Sequence, residues 1–207
     1  MTTTMTVAEA LAQAMAEAGV QRIYGVPGGG SSLDVIEAAA RRGIGFTLTK
    51  SENAAVMMAG GLAESSGRPG AALVSRGRGV ANAANGVAYA SLDRAPVLVI
   101  TDGFTPAQLG YITHQVFDQR AMFAPVVKGH GRLDGEDAGA QIRQLVALAC
   151  EAPCGPVPIE PTSAAARKPL AQPLPALPPV RPVVARGASL DEAASKIAAA
   201  RRPGKPG

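Results

Sequence analysis

Apolar positions along the chain switch repeatedly between helical spacing and short continuous runs. Val7, Leu11, Met15 and Ala18 mark one helix face, opened by the capping-box sequence Thr6-Val7-Ala8-Glu9 and closed by Gly19. A short strand is predicted at 22–26, and beyond Pro27 and Gly28 a helix capped by Ser31 or Ser32 runs to Arg41. The apolar run 44–48 predicts the next strand. Ser51 then stands as an N-cap, Glu52 falls in the first helical turn, and Ala54, Ala55, Met57, Met58 and Leu62 carry the helix. Residues 71–75 form a third apolar run that turns through Gly77 and Gly79 into another helix. The stretch 96–101 is apolar almost throughout rather than alternating, which predicts a strand buried on both faces. A polar loop over 102–113, a short helix at 118–123, a strand edge at Val126 and Val127, an amphipathic helix at 136–150 and a last strand at 157–160 complete the pattern. The alternation predicts an α/β fold, a doubly wound, mostly parallel sheet with helices on both faces. Ligands of such sheets gather at the carboxyl ends of the strands, where Pro27, Glu52 and Gly77 all fall.

The pattern changes near Arg167. A Pro-rich run over 169–182 reads as an extended C-terminal tail unable to build a core of its own, and 189–202 carries one further helical pattern with Ser189 as its cap. The expected organisation is a domain at 1–166, a Pro-rich linker at 167–187 and, at 188–207, the start of a further domain cut off after its first helix.

Composition narrows the function classes. Lys and Arg number 20 against 16 Asp and Glu, a formal net charge of +4, but the cations form no dense block. Tryptophan is absent and aromatics make up 3% of the chain, which argues against the stacking platforms of nucleic-acid binders. No apolar run is long enough for a membrane span and no secretory pattern opens the chain, so a cytoplasmic protein is expected. Cys150 and Cys154 lack a second pair or a histidine cluster and read as reduced structural thiols. His114 and His130 stand in no metal-ligand spacing.

Two stretches could carry chemistry. Glu52 either complements the partial positive charge of a helix N-terminus or acts as a functional carboxylate. The turn Ser75-Arg76-Gly77-Arg78-Gly79-Val80-Ala81-Asn82 bends sharply enough to bring backbone N–H groups to a ligand. It lacks a dinucleotide fingerprint, since Asn82 stands where a third glycine is wanted. The turn at Gly30-Ser31-Ser32 likewise lacks the lysine of a phosphate loop.

Taken in order, the motifs resemble a known family. They are Gly25-Val26-Pro27-Gly28, Glu52 followed by Ala54 and Ala55, Ser75-x-Gly77-x-Gly79-x-x-Asn82, Leu92-Asp93-x-x-Pro96-Val97, then Gln115 and Asp118 ahead of Pro125-Val126-Val127-Lys128, and Gly155-Pro156-Val157. Over about residues 5–165 the chain resembles the pyrimidine-binding domain of thiamine diphosphate enzymes of the acetolactate synthase and 2-oxo-acid decarboxylase superfamily.

The resemblance implies thiamine diphosphate as cofactor and a 2-oxo acid such as pyruvate as substrate. It implies Glu52 as the catalytic carboxylate that hydrogen-bonds the aminopyrimidine, with Pro27, Gly28, Ser75, Gly77, Gly79 and Asn82 around the cofactor. Gln115 and Lys128 fall on the substrate side, with Arg78 as either a solvated surface charge or a receiver of a substrate anion. The family holds the diphosphate through a divalent metal on a Gly-Asp-Gly motif with a later asparagine, and Asp102-Gly103 and Asp134-Gly135 lack both. No metal ligand is therefore assigned, and Mg2+ is expected only through a missing domain or partner. The resemblance further implies a homo-oligomer or a diphosphate-binding partner, and a fragment inactive alone. The alternative is a separate non-catalytic or regulatory subunit of the same fold. Two departures bear on the pocket: Val116 stands where the family has glutamate, and Arg78 where it has proline.

Overall fold

The computed structural model describes residues 5–179 and 187–201. A sheet of six parallel strands runs through the chain in the order β2-β1-β3-β4-β6-β5. The strands are β1 Arg22–Gly25, β2 Gly45–Leu48, β3 Gly70–Leu73, β4 Val97–Ile100, β5 Gly131–Leu133 and β6 Val157–Pro161. The helices are α1 Val7–Glu17, α2 Ser32–Ala40, α3 Glu52–Ser66, α4 Arg78–Leu92, the short α5 Pro106–Leu109 and α6 Gln119–Phe123, α7 Ala138–Cys150, α8 Ser163–Ala166 and α9 Ala188–Ala199.

The central strands show why a continuous apolar run was the right signal. Successive side chains of β3 and β4 point to opposite faces. Ala71, Leu73, Leu98 and Ile100 join the core beneath α1, α2 and α7, while Ala72, Val97 and Val99 join the core beneath α3 and α4. Both faces are covered, so no position can be polar.

Local signals fixed several boundaries. Thr6 and Glu9 close the capping box on α1, and Ser51 Oγ accepts from the Ala54 N–H at the start of α3. Elsewhere the structure departs from the expectation. Val126 and Val127 form no strand: a 3-10 turn occupies Ala124–Val126, where Pro125 supplies no N–H to a ladder, and both valines pack against the second core. The edge strand is β5 instead, three residues pairing with β6. Inside the polar loop, Thr105 and Gln108 form a second capping box on α5. Ser189 is not the cap of α9, since Gly187 at φ +94 precedes the first helical residue, Ala188, and Ser189 lies within the helix.

The Pro-rich tail carries no helix or strand over 170–179, yet it is not detached. Leu170 is buried, and Leu174 and Leu177 pack against the α1/α7 core. Leu170 N–H donates to the Met5 carbonyl, and Arg143 Nε donates to the Pro175 carbonyl. Residues 180–186 and 202–207, part of the expected linker and further domain, lie outside the described residues.

The chain leaves β1 toward β2 on one side and returns to β3 on the other. This reversal places a crevice at the carboxyl ends of β1 and β3, the usual ligand position in an open α/β sheet.

Candidate functional site

Four loops meet at that crevice: the Pro27-Gly28 turn after β1, the start of α3 after β2, the glycine turn after β3, and the segment after β4. Glu52 is the first residue of α3 and is 9% exposed. Ser75 Oγ donates to its Oε1 at 2.7 Å, and Asn82 Nδ2 donates to its Oε2 at 2.7 Å. Burial pushes the Glu52 carboxyl upward, but the donors Asn82, Ser75 and its own backbone N–H outweigh it. The group lies below its ordinary value and is held ionised near neutral pH.

The glycines are there because their neighbours press on them. A Cβ at Gly79 would sit on Ser75 Oγ and 2.6 Å from Glu52 Oε1, so any side chain would split that hydrogen bond. A Cβ at Gly28 would come within 3.2 Å of the Ser75 Cβ. Gly77, at φ +63, lies against Gln115, whose Cβ would be 2.5 Å from a Cβ there. Gln115 is itself left-handed at φ +59, uncommon for a residue with a side chain. Glu52, Ser75, Gly79, Asn82 and Gly28 thus form one cluster, with Pro27 half-buried just before it.

A cavity of ≈ 540 Å³ opens beside this cluster and shares Gly77 with the glycine turn. Gln115 lines it, whereas Glu52 does not. Arg78 is exposed at the start of α4 and lines no part of it. Lys128 lies elsewhere: its ammonium donates to the Leu148 carbonyl at 2.5 Å and to the Glu151 carbonyl, where a cation offsets the free carbonyls of the α7 C-terminus.

The residues that do line the cavity were largely passed over. Arg76, two positions before Arg78, pairs with the buried Asp102, and its guanidinium carbon lies 4.2 Å from the centre of the Phe104 ring. Asp102 takes Ser31 Oγ–H at 2.7 Å and the Ser31 N–H at 3.2 Å, so Ser31 spends its hydroxyl here rather than capping α2. Burial raises the Asp102 carboxyl above its usual range despite Ser31 and Arg76. His130, Arg132 and Glu160 stand on the far strands β5 and β6 or just before them. One signal could have found Asp102: it is the first charge after the apolar run of β4, at the carboxyl end of a buried strand.

The parallel α/β domain thus holds a buried carboxylate at its switch point, beside a glycine turn and a neighbouring cavity. Residues 5–122 match the family described as "Thiamine pyrophosphate enzyme, N-terminal TPP binding domain", and the chain belongs to that family. Among its relatives are the acetolactate synthase isozyme 3 large subunit of Escherichia coli, 35% identical over 156 residues, which are 74% of this chain and 27% of that protein. A probable 2-ketoarginine decarboxylase of Pseudomonas aeruginosa is 38% identical over 126 residues, 59% of this chain and 22% of that protein. The chain therefore spans about a quarter of the length of these relatives.

Proposed function

We propose that this chain is the pyrimidine-binding half of a thiamine diphosphate-dependent lyase or transferase of the acetolactate synthase type, acting on a 2-oxo acid. The observation that carries the reading is Glu52, an ionised carboxylate at a helix start with one donor on each oxygen. A carboxylate offers roughly four acceptor positions, so Ser75, Asn82 and its own N–H leave room for a ring N–H of the cofactor. Gly79 keeps the approach to that carboxylate free of a side chain. The residues present therefore fit the pyrimidine end of the cofactor.

When bound, thiamine diphosphate would supply an acidic carbon that, once deprotonated, serves as the nucleophile toward the oxo carbon of the substrate. Glu52 would accept the hydrogen bond of the aminopyrimidine ring nitrogen at Oε1 or Oε2, favour its protonated form and so make the amino group a base. Ser75 and Asn82 orient the carboxylate and hold it ionised. Gly28, Gly77 and Pro27 shape the turn around it, and Gln115 faces the substrate cavity. The diphosphate and its Mg2+ fall to residues outside this chain, in a further domain or a partner, so the chain is inactive alone. Self-association is part of the same proposal: Met57 and Met58 on α3 are 38% and 45% exposed beside the site. A cytoplasmic setting accords with the free thiols of Cys150 and Cys154.

The test is Glu52→Gln in this chain recombined with a diphosphate-binding half taken from a relative. Glutamine keeps a hydrogen bond but carries no charge to relay. Hydrogen–deuterium exchange at the thiazolium C2, followed by quenched NMR, is expected to slow by about 10²–10⁴-fold with cofactor affinity little changed. An unaltered exchange rate would reduce Glu52 to a helix-start carboxylate and remove the basis of the assignment.

A further inference from the structure

Two guanidinium groups converge on one residue of the cavity wall. Arg76, from the turn after β3, stacks over the Phe104 ring, and Arg132, from β5, donates through Nη2 to the Phe104 carbonyl. Two of their acidic neighbours lie behind them, while Asp134, 36% exposed, takes Arg132 Nε at 2.8 Å from the solvent side. The side chains of Asp102 and Glu160 are 1% and 8% exposed, against 15% and 29% for Arg76 and Arg132. Asp102 Oδ1 accepts from Ser31, while Oδ2 faces Arg76 as an ion pair without a hydrogen bond. Arg76 makes that ion pair and no hydrogen bond among the described residues, so most of its N–H groups are uncommitted. Arg132 Nη1 lies 3.9 Å from Glu160 Oε1, beyond hydrogen-bond reach. His130 adds a further unpartnered group on the same wall: its side chain is 10% exposed, yet Nε2 has no hydrogen-bond partner and stands 3.4 Å from Glu160 Oε2.

An oxyanion would meet the uncommitted fork of Arg76, held by stacking on Phe104, and the N–H groups of Arg132 that Asp134 and the Phe104 carbonyl leave free, donors of the kind with which arginine binds carboxylate or phosphate. Val116, Phe117 and Leu109 supply apolar wall for a short carbon chain between that anion and the reacting end.

We propose that Arg76 and Arg132, held against Phe104, form a subsite for a second oxyanion, so that the substrate is a 2-oxo acid with a distal carboxylate or phosphonate rather than a simple alkyl one. The class of substrate rests on the 2-oxo-acid reading above, but the subsite itself can be tested without it.

The chain as it stands is titrated by calorimetry and by NMR of the arginine Nε–Hε signals with glutarate, 2-oxoglutarate, inorganic phosphate and pyruvate. Glutarate has no oxo group and reports the subsite alone. Glutarate and 2-oxoglutarate, or phosphate in the phosphonate case, are expected to bind and shift the Arg76 and Arg132 signals, and to do so more tightly than pyruvate, whose shorter chain reaches the apolar wall less. Arg132→Gln, at the more exposed position, and Arg76→Lys, which keeps a charge beside Asp102, are each expected to weaken binding by about tenfold or more at unchanged melting temperature. Absence of binding by all of the dianions, or equal binding by wild type and both variants, overturns the subsite. Failure of the cofactor reading would appear separately, as unaltered C2 exchange in Glu52→Gln.

Discussion

At Glu52 and Asp102 the same two forces, burial and hydrogen bonding, reach opposite outcomes. Glu52 has two side-chain donors and its own helix-start N–H, and these overcome desolvation, so its carboxyl lies below the ordinary value. Asp102 is more deeply enclosed, and there desolvation wins over Ser31 and Arg76. The linkage signs follow from this contrast. A depressed folded value means that the stability contributed by ionised Glu52 is present above its unfolded value of about 4.3 and is lost as pH falls through the folded value. A raised folded value means that Asp102 favours folding most below its unfolded value of about 3.9, an advantage lost as pH rises through the folded one. Urea unfolding between about pH 3 and 7 should therefore show the wild-type advantage over Glu52→Gln growing with pH. The advantage over Asp102→Asn should shrink over the same range. Parallel slopes for the two variants would contradict this account of the site.

At the scale of elements, the two adjacent glycines of α3 separate packing from propensity. A Cβ at Gly60 would meet the Tyr89 ring at 2.9 Å, whereas one at Gly61 meets nothing within 4 Å. Gly61→Ala is expected to stabilise the isolated chain by about 0.5–1 kcal/mol through helix propensity alone. Gly60→Ala gains the same propensity but must push Tyr89 aside, and Gly79→Ala must break the Ser75–Glu52 contact, at a cost of about 1–3 kcal/mol. Thermal denaturation should rank the variants Gly61→Ala above wild type and Gly79→Ala below it. What the sequence made legible divides along a similar line. The capping box of α1 and the buried run of β4 could be read because the cap's partners lie within a few residues and because both faces of the strand obey one rule, whereas the box on α5 was not read. The hydroxyl of Ser31 could not, because its partner Asp102 is distant in sequence and closer caps were available to it on paper. Strand β5 escaped for a different reason: it is three residues long, with one large apolar side chain, and Gly131 is there to admit the Leu145 side chain. Glu52, Ser75, Gly79 and Asn82 were legible as an ordered motif, whereas Arg76 and Arg132 were not, since only the fold brings both to Phe104.

For the molecule as a whole, composition and packing disagree about where the folded unit stops. The Pro-rich run reads as a linker because proline cannot continue a helix or an inner strand, yet its leucines recur where α1 and α7 leave a groove. Leu170 is 8% exposed, Leu174 and Leu177 rest on the same core, and Pro169 bridges Thr6 at the entrance of α1. The strap also resolves a charge that the helices alone would leave in difficulty. Arg143 is buried in α7, and its guanidinium is satisfied by Glu17 from α1 and the Pro175 carbonyl from the strap. Removing the strap would expose Leu170, worth about 1.5–3 kcal/mol as an upper bound. It would also take one acceptor from a buried guanidinium, costing about 1–3 kcal/mol unless water replaces it. A chain cut after Ala166 should accordingly be at least about 2 kcal/mol less stable than one cut after Pro179, where the whole described strap is retained. Urea midpoints of the two cut chains decide the matter. Equal midpoints would mean that the strap merely lies on a domain already complete at Ala166, while the expected gap would carry the folding unit through Leu177 and make the strap's leucines part of its core.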